Sequence, residues 1–565
     1  MEQDIIEHEY LDITADGVLY GFKKGMERSA VVVPDGVTRI SGRAFDECAS
    51  LVSVDIPDGV WEIGFCAFSE CSSLTHVHIP DSVTEIGDWA FSDCNRLESV
   101  DIPRNVKRFG NGVFCDCESL ISVRIHNGVT ETGEETFMGC AALQNVTIPN
   151  SVTKISDCTF SDCKMLASVD IPDSVTEIGD WAFADCEELA SVVIPDGVTR
   201  IGQLAFDRCK SLESAIIPNS VREIGDGVFE ECERLKVVRY GSTKAQWNAI
   251  AGLCNNMELL RMTIICTDGE QRAEERDGLK ISGTIVCGYT DELPENLVIP
   301  EGITTIGERA FEDCASLASV VIPGSVTAIC EKAFANCRSL VSVDISDGVR
   351  EIGKWAFYEC WSLRHLHIPD SMRGIGEYAF SWCESLADVT LPKGLTEISE
   401  DAFYNCTMLQ SVTIPNSVTA ISASAFGNCA SLASVVIPDS VTKIDRKAFT
   451  LCAKLANVTF SNGLAEIAWE TFSRCESLVS VRIPQGVRII DERAFSYCKQ
   501  LESVGIPQSV KIIHKAAFHH CDSLKEVRYA GTKAQWDAIS KSREISRFTV
   551  HCTDGDITVN EHEGA

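Results

Sequence analysis

The sequence predicts an α/β repeat solenoid with a curved parallel sheet, built from 23-residue repeats in two capped arrays. Three observations carry that prediction. Proline falls on a 23-residue grid at Pro34, Pro57, Pro80, Pro103, Pro149, Pro172, Pro195 and Pro218, with His126 in the skipped slot. A second grid holds Pro300, Pro323, Pro369, Pro392, Pro415, Pro438, Pro484 and Pro507, with Ser346 and Ser461 in its skipped slots. Finally, the stretch around Trp247 returns around Trp536, 289 residues later, the same separation as Pro34 and Pro323. A fixed period of this size is the mark of a repeat architecture. It also explains how 565 residues can form something other than one oversized core, since each repeat buries its apolar face only against its neighbours.

Within a repeat the elements follow in order. In Leu166-Ala-Ser-Val169-Asp-Ile171-Pro172, Val169 and Ile171 alternate with Ser168 and Asp170, which is strand period. Pro172 ends the strand because it has no N–H for the next ladder bond. Val175 and Ile178 are three apart and Ala182-Phe183 follow, a helical or 3₁₀ spacing too short for an independent helix. Each repeat therefore reads as strand, turn and short helical return, with one parallel strand per repeat.

The arrays differ from the segments around them. Val238-Arg-Tyr-Gly-Ser-Thr-Lys-Ala-Gln-Trp247 matches Val527-Arg-Tyr-Ala-Gly-Thr-Lys-Ala-Gln-Trp536, and both are followed by Cys-Thr-Asp-Gly, at Cys266 and Cys552. A solenoid needs such an end piece to cover the apolar edge of its last repeat. Asp16-Gly17-Val18 and Asp277-Gly278-Leu279 open short alternating stretches that read as N-terminal cap strands. The expected organisation is a cap over 1–30, a first array with its cap over 31–250, an inter-array segment over 251–296, a second array with its cap over 297–540, and a strand and tail over 541–565. The first array holds nine repeats and the second ten.

The repeated phrase A-F-x-x-C-x-S-L-x-x-V-x-I-P-x-x-V-x-x-I-G resembles the BspA-like, or treponemal-type, leucine-rich-repeat family over nearly the whole chain. The resemblance implies a leucine-rich-repeat solenoid. It also implies non-enzymatic recognition of a protein or glycoprotein, with cell-surface adhesion and host-matrix binding as the associated roles. An intracellular scaffold or effector that binds a protein partner is the alternative.

Composition narrows the partners. The net charge of −34, from 83 acidic and 49 basic residues, disfavours nucleic acid, which needs clustered Lys and Arg. It also disfavours anionic membrane surfaces. No apolar run approaches the roughly 18 residues of a membrane span. The first ten residues show neither a basic nor an apolar secretory region, which points to the cytoplasm, whereas the family resemblance points to the cell surface. Of the 27 cysteines, nineteen sit three residues after the repeat Phe, from Cys48 to Cys232 and from Cys314 to Cys521. A column of equivalent thiols has no reason to pair off, so it reads as buried, free Cys, which fits a reducing compartment or an anaerobic source.

Little in the sequence carries chemistry. Gly348-Val-Arg-Glu-Ile-Gly353-Lys354-Trp355 matches a phosphate-loop pattern only because the repeat itself writes G-V-x-x-I-G, and Trp355 stands where Ser or Thr must reach Mg²⁺. No catalytic motif is found, and no cofactor is expected. His76 and His78, and their equivalents His365 and His367, lie at i and i+2 on a strand and point away from the core. Two imidazoles on one face can share Zn²⁺ or Ni²⁺ only with further ligands. A polar surface copied by duplication is the simpler reading, and no metal site is assigned. The slot two before Pro varies: Asp55, His78, Asp101, Arg124, Thr147 and Asp170 in the first array, and Asp344, His367, Thr390, Thr413, Thr459 and Arg482 in the second. Variable residues on a regular frame suit either recognition or drift on a solvated face. The candidate binding residues are His76, His78, Asp101, Arg124, His365, His367 and Thr390. Trp89, Trp181, Trp355 and Tyr378 share the slot before Ala-Phe and read as packing over the return of the adjacent repeat, with an interface role as the alternative.

Overall fold

A proline at each grid position forces the chain to turn, and the structure shows how. In the computed structural model, which describes residues 8–541 and 548–557, the carbonyl of each grid proline accepts from the amide three residues on, as Pro80 does from Val83 at 3.0 Å. The chain forms two units, Met1–Ala273 and Glu274–Ala565. Each is a solenoid of parallel strands stacked at one repeat per step.

The strands before proline pair in register with the same strand one repeat away. His76–His78 pairs with Ser53–Asp55, Val77 over Val54, and Ser122–Ile125 pairs with Ser99–Ile102, Val123 over Val100. In the second unit the ladder runs Asn296–Val298, Ser319–Ile322, Ser342–Ile345, His365–His367, Asp388–Thr390 and Ser411–Thr413. Alternation does the rest: in most strands the residues one and three before the proline slot face inward and those between them face outward, as in the pattern of Ser99–Ile102.

The rest of the repeat differs from the expected helical return in two ways. First, the residues around the next Ile form a second, two-residue parallel strand. Arg39–Ile40, Glu62–Ile63 and Glu85–Ile86 stack in one ladder, and Lys154–Ile155, Glu177–Ile178, Arg200–Ile201 and Glu223–Ile224 in another. Most repeats thus carry two parallel strands, not one, although the repeat at Leu166 forms no strand over 168–171 and keeps only Glu177–Ile178. Second, the Ala-Phe-x-x-Cys segment holds no helix. The residue before Ala and the residue two after Phe are both left-handed, as at Trp181 (φ 53°) and Asp185 (φ 56°) around Phe183. Two left-handed residues four apart cannot lie in an α-helix. Their amides, and that of the Phe between them, turn instead to the next repeat: Trp181 donates to the Gln203 carbonyl, Phe183 to Ala205 and Asp185 to Asp207, each at 2.8 Å. Backbone bonds that a helix would keep local are spent on holding neighbouring repeats together. The glycine after Ile permits the close approach, since a Cβ at Gly87 would stand 2.6 Å from the amide nitrogen of Phe65.

The core is a set of columns. The repeat phenylalanines stack nearly parallel, with Phe160, Phe183 and Phe206 at 5.3 Å between ring centroids. Leu166, Leu189 and Leu212 are fully buried beside them. The first unit opens on an antiparallel pair, Leu11–Ile13 with Val18–Phe22, and closes with Thr263–Cys266 on Val237–Tyr240 and the hairpin strand Gly269–Gln271. The second opens on the antiparallel strands Glu274–Arg276, Leu279–Ser282 and Ile285–Tyr289, and closes with Thr549–Cys552 on Glu526–Tyr529 and the strand Gly555–Ile557. Trp247 and Trp536 sit buried in these closures, each against a Tyr, with ring centroids 5.2 Å from Tyr240 and 5.3 Å from Tyr529. The expected tail over 541–565 falls partly on 542–547 and 558–565, outside the described residues.

Candidate recognition face

Within each unit the strands before the proline slot present their outward residues on one side, and this is where the candidate binding residues lie. His76 and His78 flank buried Val77, and the ladder sets them beside Ser53 and Asp55. Asp101 stands beside Arg124 on the next strand, and its carboxylate is 2.8 Å from Nε2 of His126, the residue in the skipped proline slot. In the second unit His367 lies between Asp344 and Thr390. His365 has its Nδ1 3.2 Å from the Asp388 carboxylate. The structure therefore groups His365, His367 and Thr390 on adjacent strands, and pairs Asp101 with Arg124. All these pairs are exposed, where an ion pair contributes at most about 1 kcal/mol. They leave polar groups available to a partner at little cost. Among the described residues, no group of three or more His, Cys, Asp or Glu side chains comes together as a metal cage.

The aromatics of the slot before Ala-Phe pack along the solenoid. A Cβ at Gly112 would stand 2.3 Å from the Trp89 ring, so that indole lies over the backbone of the next repeat. Trp355 stacks on Tyr378 at 5.4 Å, with the Lys332 ammonium 4.9 Å from the Trp355 ring centroid.

The thiol column is closed to solvent. From Cys71 to Cys232 and from Cys337 to Cys521, each ladder cysteine donates its S–H to the Phe carbonyl 26 residues earlier, as Cys94 does to Phe68 at 3.2 Å. Burial pushes the Cys71 and Cys452 thiols up to about 12. A group held protonated this firmly is neither a nucleophile nor a metal ligand at neutral pH.

A family model described as the BspA type leucine rich repeat region (6 copies) matches residues 19–144, 130–252, 304–433 and 419–543. This chain belongs to the BspA-type leucine-rich-repeat family. A leucine-rich-repeat protein from Bacteroides ovatus is 28% identical, over 69% of this chain and 86% of that one, with a TM-score of 0.39. The leucine-rich-repeat protein of T. pallidum is 27% identical over 41% of this chain and 91% of its own, with a TM-score of 0.28. A leucine-rich cell surface protein from Faecalibacterium prausnitzii is 23% identical over 96% and 98%, with a TM-score of 0.29. No curated protein matches the chain.

Leucine-rich-repeat proteins bind proteins, and for this BspA-type chain that is the coarse function. Among the described residues no helix is long and apolar enough to cross a membrane. Sequence reasoning missed the aliphatic members of this candidate face. Val32, Val193, Val298 and Val436 occupy the slot two before Pro and are 58–64% exposed, with Ile216 and Val321 beside two of them. The signal was present, since they stand in the same slot as Asp101 and His367. Apolar residues in a strand simply read as core.

Proposed function

We propose that this chain is a non-enzymatic recognition solenoid that binds a protein or glycoprotein on its strand-borne face. The observation that supports this most is the contrast within each strand. The inward Val and Ile keep one chemistry, while the outward slot ranges over His78, Asp101, Arg124, Val193 and Thr390 on a ladder of fixed spacing. Such a ladder offers a broad face of charged, polar and aliphatic groups, and a standard interface takes roughly 800 Å² from each partner. Cell-surface adhesion is the finer form of this reading that family membership suggests. An intracellular scaffold is favoured by one feature, the column of buried free thiols whose S–H groups, from Cys71 to Cys232 and from Cys337 to Cys521, are committed to carbonyls, which suits a reducing compartment. Fractionation of the native source separates the two.

Oxidative footprinting of the chain with a captured partner tests the face itself. His76, His78, His365 and His367 should lose reactivity in the complex while Trp89 and Trp181 keep theirs. Protection of the tryptophans with the histidines still reactive would place binding on the return segments instead.

A further inference from the structure

We infer that the strand face of the second unit ends, beside its cap, in a notch that takes a carboxylate side chain of the protein partner. The inference rests on the strand face being the recognition surface. Arg482, Gly505 and Arg528 follow one another in register in the slot two before Pro and its continuation. Among them Gly505 leaves a gap. A Cβ there would stand 3.5 Å from Cγ of Arg482, so any side chain would pack on the arginine stem and fill the space. The space is a concavity of about 430 Å³, lined by the two arginines, Ser503, Ile506, Pro507 and Tyr529 among others. That is within the range of small ligand sites.

The chemistry of the notch points to an anion. Strands repeat at about 4.8 Å, so the two arginine stems stand roughly 10 Å apart and can close on one group from both sides. Guanidinium is the side chain best matched to a carboxylate, with two parallel N–H donors. Among the described residues no carboxylate pairs with Arg482. Arg528 has Glu526 on its own strand at 3.1 Å, an exposed pair that a buried partner group can displace. The next residue along the ladder, His551, is already paired with Asp556 at 2.8 Å. In a chain of net charge −34, two flanking arginines around an empty slot run against the background.

The chain holds its own control. The residues 289 earlier are Val193, Ile216 and Arg239, in the same parallel register. There the slot is filled by two exposed aliphatic side chains, Val193 at 58% and Ile216 at 39%. One backbone thus carries an apolar ridge in the first unit and a cationic notch in the second.

The test is fluorescence anisotropy with the full chain and a dye-labelled Ala-Val-Glu-Val-Ala peptide, against the same peptide with Gln in place of Glu. The Glu peptide should bind at least about tenfold more tightly, the scale of one charge-assisted hydrogen bond. That preference should vanish in Gly505→Ile and in Arg482→Val, which install the residues that the first unit carries in the same register and leave the melting temperature unchanged. Val193→Arg with Ile216→Gly should add a second site of the same preference. Equal binding of the two peptides, an undiminished preference in both variants, or binding of a sulfated heparin oligosaccharide without binding of the Glu peptide would each overturn the inference. None of these results bears on footprinting at His76 and His365, so the notch and the face fail separately.

Discussion

The Sγ of Cys186 donates to the carbonyl oxygen of Phe160, 3.2 Å away and one repeat back, and the amide of Cys163 donates to that same oxygen at 3.3 Å. Most Phe carbonyls in the column, like that of Phe160, therefore take an N–H from their own repeat and an S–H from the next. Cysteine suits the slot because it is small, apolar and yet carries a weak donor for the second lone pair. Alanine would leave that lone pair unmet, and valine has no donor.

The thiol column makes stability fall at alkaline pH. An unfolded cysteine titrates near its ordinary 9.0, whereas burial holds Cys452 protonated up to about 12. Above pH 9 the unfolded chain thus binds fewer protons than the folded one, and stability drops by about 1.4 kcal/mol per pH unit for each such thiol. The contribution is complete below pH 9 and is lost between about 9 and 12. Urea denaturation at pH 8, 9.5 and 11 should show this, with a shallower decline in Cys452→Ala. Identical slopes for the two proteins would contradict it. At pH 8 the ladder thiols should resist alkylation until the chain is denatured.

Phe183→Ala should destabilise its array by about 3–5 kcal/mol. The ring is fully buried and stacked on both sides, at 5.3 Å from Phe160 and from Phe206. Its removal leaves a cavity in the middle of a column, where the repeats on either side are held apart by their backbone bonds and cannot collapse. Equilibrium denaturation measures the loss, and a value under about 1 kcal/mol would contradict the stacked column.

Leu451→Asn should stabilise the chain by about 1 kcal/mol. Leu451 is left-handed at φ 61° and 37% exposed, so it carries backbone strain for little burial. The equivalent residues one and two repeats back, Asn428 and Asn405, are also left-handed, and the amide of Asn428 donates to the side-chain oxygen of Asn405. Asparagine tolerates the conformation and would lengthen this side-chain ladder by one step. A lower urea midpoint for the variant would show that the Leu451 side chain contributes more by packing than its backbone costs.

Much of this architecture is legible in the sequence, because a residue that must be buried at every step writes a column. Phe183, Cys186, Leu189, Val175 and Ile178 are read correctly as core from their period alone. The return segment misleads. Val175 and Ile178 have helical spacing, yet Ile178 lies in a two-residue strand, too short to show alternation. The left-handed positions leave no signature either, since Trp181, Leu204, Lys332 and Tyr378 occupy them as readily as Asp or Asn. The recognition face is half legible. Alternation shows that His78 and Asp101 point outward, but the same reasoning files Val193 and Ile216 under core, and only the stacked ladder sets Gly505 between two arginines.

The most direct measurement of the central claim, that recognition lies on the strand face, is partner affinity in two variants of the intact chain. One replaces His76, His78, Asp101 and Arg124 together by Ser. The other carries Trp89→Ala and Trp181→Ala. The first should keep its stability, because the residues are exposed and the Asp101–His126 pair contributes at most about 1 kcal/mol. It should lose binding by at least about tenfold, while the second binds as the wild type does. Full affinity in the Ser variant, with binding abolished in the Trp variant, would contradict the account and move recognition to the return segments.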